Sequence, residues 1–327
     1  MTTLSRRSTL GLLGTAAGAL ALPRMVLAKP IPSLAIYGPP AGPSITLAHA
    51  VATGKLSDIA SETSFTAWRN PDELRAGLTS GGILLSVVPI QAAANLYNRG
   101  FPIRLANAMT NGLLYIIAED AAINAIPDLA GRHIAVPFRG DTPEIIFGQL
   151  LKHNGMNPSD LEITYAGSPI EAMQLILAGR VDAALTAEPS TTAAVLRGRQ
   201  AGKDIRRAIS IQDAWGEMTG AAPVLPQAGL AVMQEFLDDS GYALPSLLTT
   251  LEEATEEVLG NPDAAAANAT ESLGMPAPLL AASIPNSNLV ARPATEARAD
   301  IERMLAAMAG DDLTRSGGAM PDDAFYV

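Results

Sequence analysis

The sequence predicts an α/β protein of two lobes, each a mixed sheet flanked by helices, with a cleft between the lobes. Short apolar segments typical of buried strands alternate with helical segments through the first two thirds of the chain. One strand–turn–helix unit also occurs twice, beginning at Gly81 and again 98 residues later at Gly179. In each copy a short apolar strand follows the glycine, and then come a proline and a new helix. Two copies of one α/β unit predict two similar lobes, and the cleft between such lobes is a common place for a ligand.

The first part of the chain contains the elements of the first lobe and the first strand of the second. We predict strands over 34–37, 83–88, 102–108 and 113–118, and a helix over 44–53 that ends at Gly54. Another helix begins after Asn70, because an asparagine N-cap precedes Pro71 there. Asp72 and Glu73 then face the positive end of the helix dipole.

The same pattern starts again near residue 128. Strands are predicted over 133–137 and 161–165, and the loop 138–143 opens a helix that runs to Asn154. Ser168 and Glu171 form the spacing of a capping box, with Pro169 at the first helical position and Gly179 at the end. The segment 216–229 is expected to be a loop with short apolar pieces. Helices are predicted over 235–240, 246–259, 263–273 and 294–309.

This order predicts how the chain is divided. Residues 1–28 form an export segment, and 29–112 form the first part of the first lobe. Residues 113–215 form the second lobe, and 216–327 return to the first lobe with C-terminal helices. Two crossings between the lobes then form the hinge.

The N-terminus has the pattern of a twin-arginine export signal. Arg6 and Arg7 precede an apolar stretch over 10–22, and cleavage is expected after Ala28. An ordinary secretory signal and a retained anchor are the alternatives, although the apolar stretch is short for a membrane span. We expect a periplasmic protein without a direct membrane anchor.

Composition excludes several classes of function. The formal charge of −11 falls by three to −14 once the segment carrying Arg6, Arg7 and Arg24 is removed. An acidic chain of this kind argues against nucleic acid as a partner. The absence of cysteine excludes thiolate metal sites and a cysteine nucleophile. The three histidines, His49, His133 and His153, are too far apart in the chain to suggest a metal site, so we expect no metal and no cofactor.

Three segments resemble one known family. Residues 128–137 read DLAGRHIAVP, 177–189 read LAGRVDAALTAEP, and 95–103 read NLYNRGFPI. They resemble segments of type II periplasmic solute-binding proteins of ABC importers, in the group that takes nitrate, alkanesulfonates, taurine and thiamine-related pyrimidines. The resemblance covers about 31–215 well and the last third loosely. Leu84 departs from it, because the family usually has an acid at that position, and we interpret the change as altered packing.

The resemblance implies a substrate-binding component and no enzyme. Such a protein captures a small anionic or zwitterionic organic solute of the sulfonate, taurine, nitrate or pyrimidine class by closing its cleft. It then delivers the solute to an inner-membrane permease and its ATPase, and we expect it to be a monomer. A sensor subunit that signals to a membrane kinase is an alternative. An enzyme of the thiamine-pyrimidine or menaquinone-pathway type is another, although the synthase requires a cysteine-rich motif that this chain lacks.

Candidate ligand-binding residues lie where predicted strands lead into helices, because a helix N-terminus presents free N–H groups and a partial positive charge. Three such loops supply Ser44, Thr46, Gln91, Arg139, Gly140 and Thr142. Arg139 has two interpretations, a bidentate partner of a sulfonate, carboxylate or phosphate, or a surface arginine paired with Asp141.

Three further candidates lie near the predicted crossings. Glu188 either binds an amine or hydroxyl of the ligand or braces the hinge. Asn111 lies at the first crossing, as a hinge or pocket residue. Trp215 lies at the second, where it either stacks on a flat ligand or packs in the core. No catalytic residue is assigned.

Overall fold

The fold consists of two five-stranded sheets and a two-stranded ribbon within residues 30–310 and 313–327, which are the residues that the computed structural model describes. The predicted export signal over 1–28 lies outside the described residues. The strands are β1 Ile31–Gly38, β2 Ala60–Ala67, β3 Leu85–Pro89, β4 Ile103–Leu105, β5 Asn107–Thr110, β6 Leu114–Ala118, β7 His133–Pro137, β8 Glu162–Ala166, β9 Ala183–Ala187, β10 Arg206–Ser210, β11 Ala228–Met233 and β12 Leu289–Pro293.

Twelve α-helices surround these sheets in the described part of the chain. They are α1 Gly42–Ala52, α2 Pro71–Thr79, α3 Ile90–Asn98, α4 Thr142–His153, α5 Pro169–Leu177, α6 Ser190–Gln200, α7 Ile211–Thr219, α8 Gln234–Ser240, α9 Leu244–Gly260, α10 Pro262–Leu273, α11 Ala277–Ser283 and α12 Ala294–Ala309. None of these helices has the length and apolar character needed to cross a membrane.

The two sheets have the same topology. The first has the order β2-β1-β3-β11-β4, and the second has the order β8-β7-β9-β6-β10 when read from the matching edge. Three parallel strands in each are joined through helices, and the next strand in each, β11 or β6, runs antiparallel. The repeated unit seen in the sequence is therefore β3–α3 in one lobe and β9–α6 in the other. The two-lobed α/β fold with mixed sheets is confirmed.

Local signals explain several helix boundaries. The side chain of Asn70 accepts a hydrogen bond from the Glu73 amide at 3.0 Å, which caps α2. The Ser168 hydroxyl caps α5 by accepting from the Glu171 amide at 3.1 Å. The Glu171 carboxylate accepts from the amide of Gly167 instead of that of Ser168, so the capping box is shifted by one residue.

The C-terminal third contacts both lobes. Strand β11 lies inside the first sheet, and α9 and α10 pack on α1. Helix α11 packs on α6, and α12 packs on α4 and β5. One hydrophobic cluster accordingly joins residues of both sheets through the buried face of α12. The assignment of 216–327 to the first lobe remains a prediction.

Some elements differ from the prediction. The strand expected over 102–108 is two strands, because β4 pairs with β11 whereas β5 leaves that sheet to pair with β12. The segment 216–229 is not all loop, since it includes the end of α7 and the start of β11. Leu84, at the departure from the family pattern, is partly buried against two core clusters, as expected of a packing residue.

Candidate functional site

The two lobes face each other across a cleft at the carboxyl ends of their parallel strands. The loops after β1, β2 and β3 lead into α1, α2 and α3, and those after β7, β8 and β9 lead into α4, α5 and α6. The N-termini of six helices therefore meet at the cleft. A cavity of about 220 Å³ lies there, and its walls include residues in, or within two positions after, each of these six strands, together with residues of β6 and β11.

The walls of this cleft cavity are mainly apolar. Seven of its lining residues are prolines, Pro39, Pro40, Pro43, Pro71, Pro89, Pro143 and Pro169. Trp68, Phe138, Leu113, Leu114 and Ile170 add aromatic and aliphatic surface. Because proline has no N–H, these loops present fewer donors than their helix N-termini would otherwise have. Such walls favour a ligand that has an apolar body.

The helix N-termini at the cleft are not equally available to a ligand. The first turns of α2, α4 and α5 already donate to the side chains of Asn70, Asp141 and Ser168. In α6 the Thr192 amide donates to the Glu188 carboxylate. Helices α1 and α3 have Ala41 and Pro89 at their N-caps, and neither side chain forms a cap hydrogen bond. The first turns of α1 and α3 are therefore more available to an anionic group than those of the other four helices.

Three polar side chains line the same cavity from different elements. Thr142 and Ser190 lie in the first turns of α4 and α6, and Gln227 lies just before β11. The Gln227 side chain is 7% exposed, and its Oε1 is buried without a hydrogen-bond partner. A buried polar atom without a partner is costly and uncommon. A ligand N–H or O–H at this place would supply the missing hydrogen bond.

Glu188 also lines the cavity, but its carboxylate is occupied by the protein. One oxygen accepts from Nε of Arg207 at 2.9 Å and from Nη2 of the same residue. The other accepts from the amide of Thr192 at 3.0 Å and from its hydroxyl at 2.7 Å. Burial raises the pKa of Glu188, and the Arg207 guanidinium opposes that shift. This arrangement favours the bracing interpretation of Glu188 over direct contact with a ligand.

The other predicted residues are dispersed. Thr142 lines the cleft cavity with Glu188, whereas Ser44 and Thr46 are not among its lining residues. Both lie buried within α1, where the Ser44 hydroxyl donates to the carbonyl of Pro39 at 2.5 Å. Ser44 therefore shapes the β1–α1 loop from behind the cavity wall.

Five predicted residues lie elsewhere. Gln91 and Gly140 line a neighbouring cavity of about 310 Å³, and Asn111 lines a third of about 510 Å³ at the crossing. Arg139 is exposed, and its guanidinium lies 4.8 Å from the centre of the Tyr165 ring. Trp215 is 1% exposed and packs in the core on α7.

Three cleft residues were not predicted from the sequence. Trp68 follows β2, a strand that was not predicted because many of its residues are polar. Gln227 lies in the segment interpreted as a loop. Phe138 has a positive φ of 55°, which is unusual for a residue other than glycine and is often found at functional sites. The sequence signal for it is its position between a buried strand and a helix start.

Solved structures show the same fold at low sequence identity. An ABC transporter protein from Parabacteroides distasonis is 22% identical, with a TM-score of 0.73 over 91% of this chain and 98% of that one. The periplasmic aliphatic sulphonate binding protein SsuA from Escherichia coli is 18% identical, with a TM-score of 0.69 over 90% and 95%. The periplasmic nitrate-binding protein NrtA from Synechocystis PCC 6803 is 16% identical, with a TM-score of 0.59 over 76% and 69%.

Sequence comparison assigns the family. None of the curated proteins matches the chain. Residues 79–265 match the family described as NMT1/THI5 like, and this match runs from the end of α2 to α10. It spans more than half of the sequence and includes the whole second lobe. The chain therefore belongs to the NMT1/THI5-like family and has the two-lobed fold of the type II periplasmic solute-binding proteins.

Proposed function

We propose that this chain is the periplasmic substrate-binding component of an ABC importer. The observation that carries the proposal is the apolar cavity between the two lobes, where six helix N-termini meet. The similar folds of proteins named for sulphonate and nitrate binding support it. In this role the chain is exported, closes its lobes around one solute, and presents it to a permease and its ATPase.

The ligand that fits this cleft best is an organic anion or zwitterion with an apolar body. The uncapped first turns of α1 and α3 suit the anionic group, and the prolines, Trp68 and Phe138 suit the body. Nitrate, which has no apolar part, uses none of that surface. Gln227 suits a donor group on the ligand, as in an amine, a hydroxyl or a ring N–H.

The same residues support binding over catalysis. Asp141 and Glu188 are the carboxylates that line the cavity, and no histidine, lysine or tyrosine is among its lining residues. Asp141 caps α4, and Glu188 is held by Arg207 and Thr192. Neither carboxylate is paired with a second group in the cavity that would let it act as a general acid or base.

A thermal-shift screen tests this proposal. The chain from Lys29 onward is heated with sulfonates, carboxylates, taurine, nitrate and aminopyrimidines at several concentrations. A ligand that binds only the folded state raises the melting temperature progressively with its concentration. We expect an organic anion or zwitterion to do so and nitrate to have little effect, and no shift with any class would contradict the proposal.

Two matched variants and one assay complete the test. Ala41→Phe places a ring at the cleft wall and should abolish the shift, whereas Ala76→Phe, exposed on α2, should preserve it.

Transport is distinguished from sensing by adding the loaded protein to a reconstituted permease and ATPase. An importer component stimulates ATP hydrolysis, and a sensor does not.

A further inference from the structure

A second cavity adjoins the cleft and shares a wall with it. This cavity, here called the side chamber, has a volume of about 310 Å³ and lies between α2 and α3 of the first lobe. Trp68, Pro71, Val88, Pro89 and Asp141 line both it and the cleft cavity. Only this shared wall separates the two spaces.

Trp68 is a fixed part of the shared wall. Its amide donates to the carbonyl of Gly38 at 2.9 Å, which ties the end of β2 to the end of β1. Its indole Nε1 donates to the Ser86 hydroxyl on β3 at 3.1 Å. The indole therefore extends across the end of β1, and the residue is 6% exposed. A residue held by both its backbone amide and its indole N–H provides a rigid surface on which an apolar group can pack.

The side chamber has a lining that is more apolar than polar, with Gln91 and Asn95 as polar members. Leu74 and Leu78 of α2, Ala93 and Leu96 of α3, and Ile103 of β4 line it. Arg75 and Arg99 line it as well, and both are exposed to solvent. The chamber thus has apolar surface on α2, α3 and β4 beside polar and charged side chains, and it adjoins a cleft that is mainly apolar. Apolar surface of this kind gains free energy when an apolar group displaces water from it.

Because the two cavities adjoin at Trp68, we propose that the ligand has two parts, a polar head that binds in the cleft and an apolar tail that passes the edge of Trp68 into the side chamber. The inference rests on the proposed binding function and narrows its ligand class to organic anions or zwitterions with an alkyl or aryl tail. The small solutes taurine and nitrate are excluded as preferred ligands, because neither has a tail that reaches the chamber.

A homologous series of ligands tests this proposal. Unbranched alkyl sulfonates and carboxylates, with one to about eight carbons, are titrated against the chain. Each methylene buried in the chamber strengthens binding about fourfold. We expect the dissociation constant to fall with tail length for at least one head group, and then to level off when the chamber is full.

Fluorescence locates the tail. The chain has two tryptophans, so Trp215→Phe leaves Trp68 as the single reporter. Long-tailed ligands should shift its emission to shorter wavelength, because the tail replaces water beside the indole, and short-tailed ligands should shift it much less. Strong binding by long tails without this shift would place the tail elsewhere and overturn the proposal.

A chamber-filling variant gives the decisive comparison. Ala93→Leu reduces the volume of the chamber. It should weaken the binding of long-tailed ligands at least tenfold and leave the affinity for short-tailed ligands within about twofold. Ala307→Leu, half-buried on α12 away from both cavities, is the matched control and should change neither. Ala92→Leu, half-buried on the same chamber wall, serves in place of Ala93→Leu if that variant does not fold.

The possible outcomes separate the two proposals. The side-chamber proposal is wrong if binding does not depend on tail length, or if Ala93→Leu weakens the binding of short-tailed and long-tailed ligands equally. Either result leaves the proposed binding function unaffected. Failure of every head group at every length overturns the side-chamber proposal, and it overturns the binding function as well only if no class of ligand in the thermal-shift screen binds.

Discussion

Arg207 on β10 and Glu188, directly after β9, form a two-bond ion pair beneath the cleft. The Glu188 side chain is 0% exposed and the Arg207 side chain is 24% exposed. The guanidinium therefore supplies much of the charge compensation that the buried carboxylate needs. Strand β6 lies between β9 and β10 in the sheet, and the pair therefore spans a whole strand. This bond ties the cleft end of the second lobe to its outer strand.

Removing Arg207 should destabilise the protein strongly. In Arg207→Ala, the buried Glu188 carboxylate keeps its contacts with Thr192 but loses its cation, and breaking such a pair costs about 3–5 kcal/mol. Urea unfolding measures the change. Arg199→Ala, exposed on α6, is the control and should stay within about 0.5 kcal/mol of the wild type. A small loss in Arg207→Ala would mean that Thr192 alone satisfies the carboxylate.

Glu188→Gln should separate the two interpretations of this residue. Because its oxygens already accept four hydrogen bonds from the protein, we expect lower stability and a similar change in affinity for amine-bearing and simple anionic ligands. Calorimetric titration of both ligand types checks this. A selective loss for the amine would instead place the carboxylate in contact with the ligand.

Arg139→Ala should have little effect on binding. The guanidinium is exposed and lies over the Tyr165 ring, and Arg139 is not among the residues that line the cleft cavity. We expect the affinity for an organic anion to stay within about twofold, since no ligand contact is removed. Fluorescence titration measures it, with Asn124→Ala as an exposed control in the same lobe. A tenfold loss would show that Arg139 turns into the cleft when the ligand binds.

The sequence predicted best those features that depend on neighbouring residues. Asn70 and Ser168 cap α2 and α5 because each cap needs only a hydrogen bond to an amide three residues away. Strand β2 was missed because alternating polar residues along ASETSFTA place few apolar side chains in the core. As an edge strand, β2 is held by hydrogen bonds to β1, and sequence patterns show these poorly.

The candidate site was predictable only in part, since it is assembled from distant segments. Thr142 was found because a helix start follows a buried strand. Trp68 and Gln227 lie 159 positions apart, and the order of strands in the first sheet brings them to one cavity. Arg139 was favoured for its charge, but the loop directs it to Tyr165.

Gln227→Leu should reduce affinity without reducing stability. The buried Oε1 has no partner, so replacing the amide by an apolar group of similar size removes a cost in the unliganded protein. A ligand that donates a hydrogen bond to this atom should bind about three- to tenfold more weakly. Thermal unfolding and calorimetric titration measure the two effects. Unchanged affinity for every ligand that carries an N–H or O–H would remove Gln227 from the binding residues.

Acid should weaken the contact between α1 and α9. The Glu257 carboxylate accepts from Nζ of Lys55 at 2.8 Å and lies 3.1 Å from Nε2 of His49, and these contacts, Lys55 first, lower its pKa below the ordinary value of 4.5. A carboxylate whose pKa is lowered by folding stabilises the protein fully at pH values above its ordinary pKa. This stabilisation is lost as the pH falls through the folded-state pKa. Glu257→Gln should therefore flatten the stability profile below about pH 5. Unfolding at several pH values measures this, and Glu256→Gln, exposed on the same helix, should retain the wild-type slope.

Two glycines should respond to alanine in opposite directions. A Cβ added to Gly229 on β11 would lie 2.0 Å from the backbone carbonyl oxygen of Asn107, where the chain leaves the first sheet toward the first crossing. Because backbone cannot move aside as a side chain does, Gly229→Ala should destabilise the protein by about 1–3 kcal/mol or more. A Cβ on Gly148, inside α4, meets no atom within 4 Å, and Gly148→Ala should stabilise by about 0.5–1 kcal/mol through a better helix propensity. Urea unfolding of both variants measures the contrast, and a Gly229→Ala protein as stable as the wild type would show that β11 does not lie tightly against the first crossing.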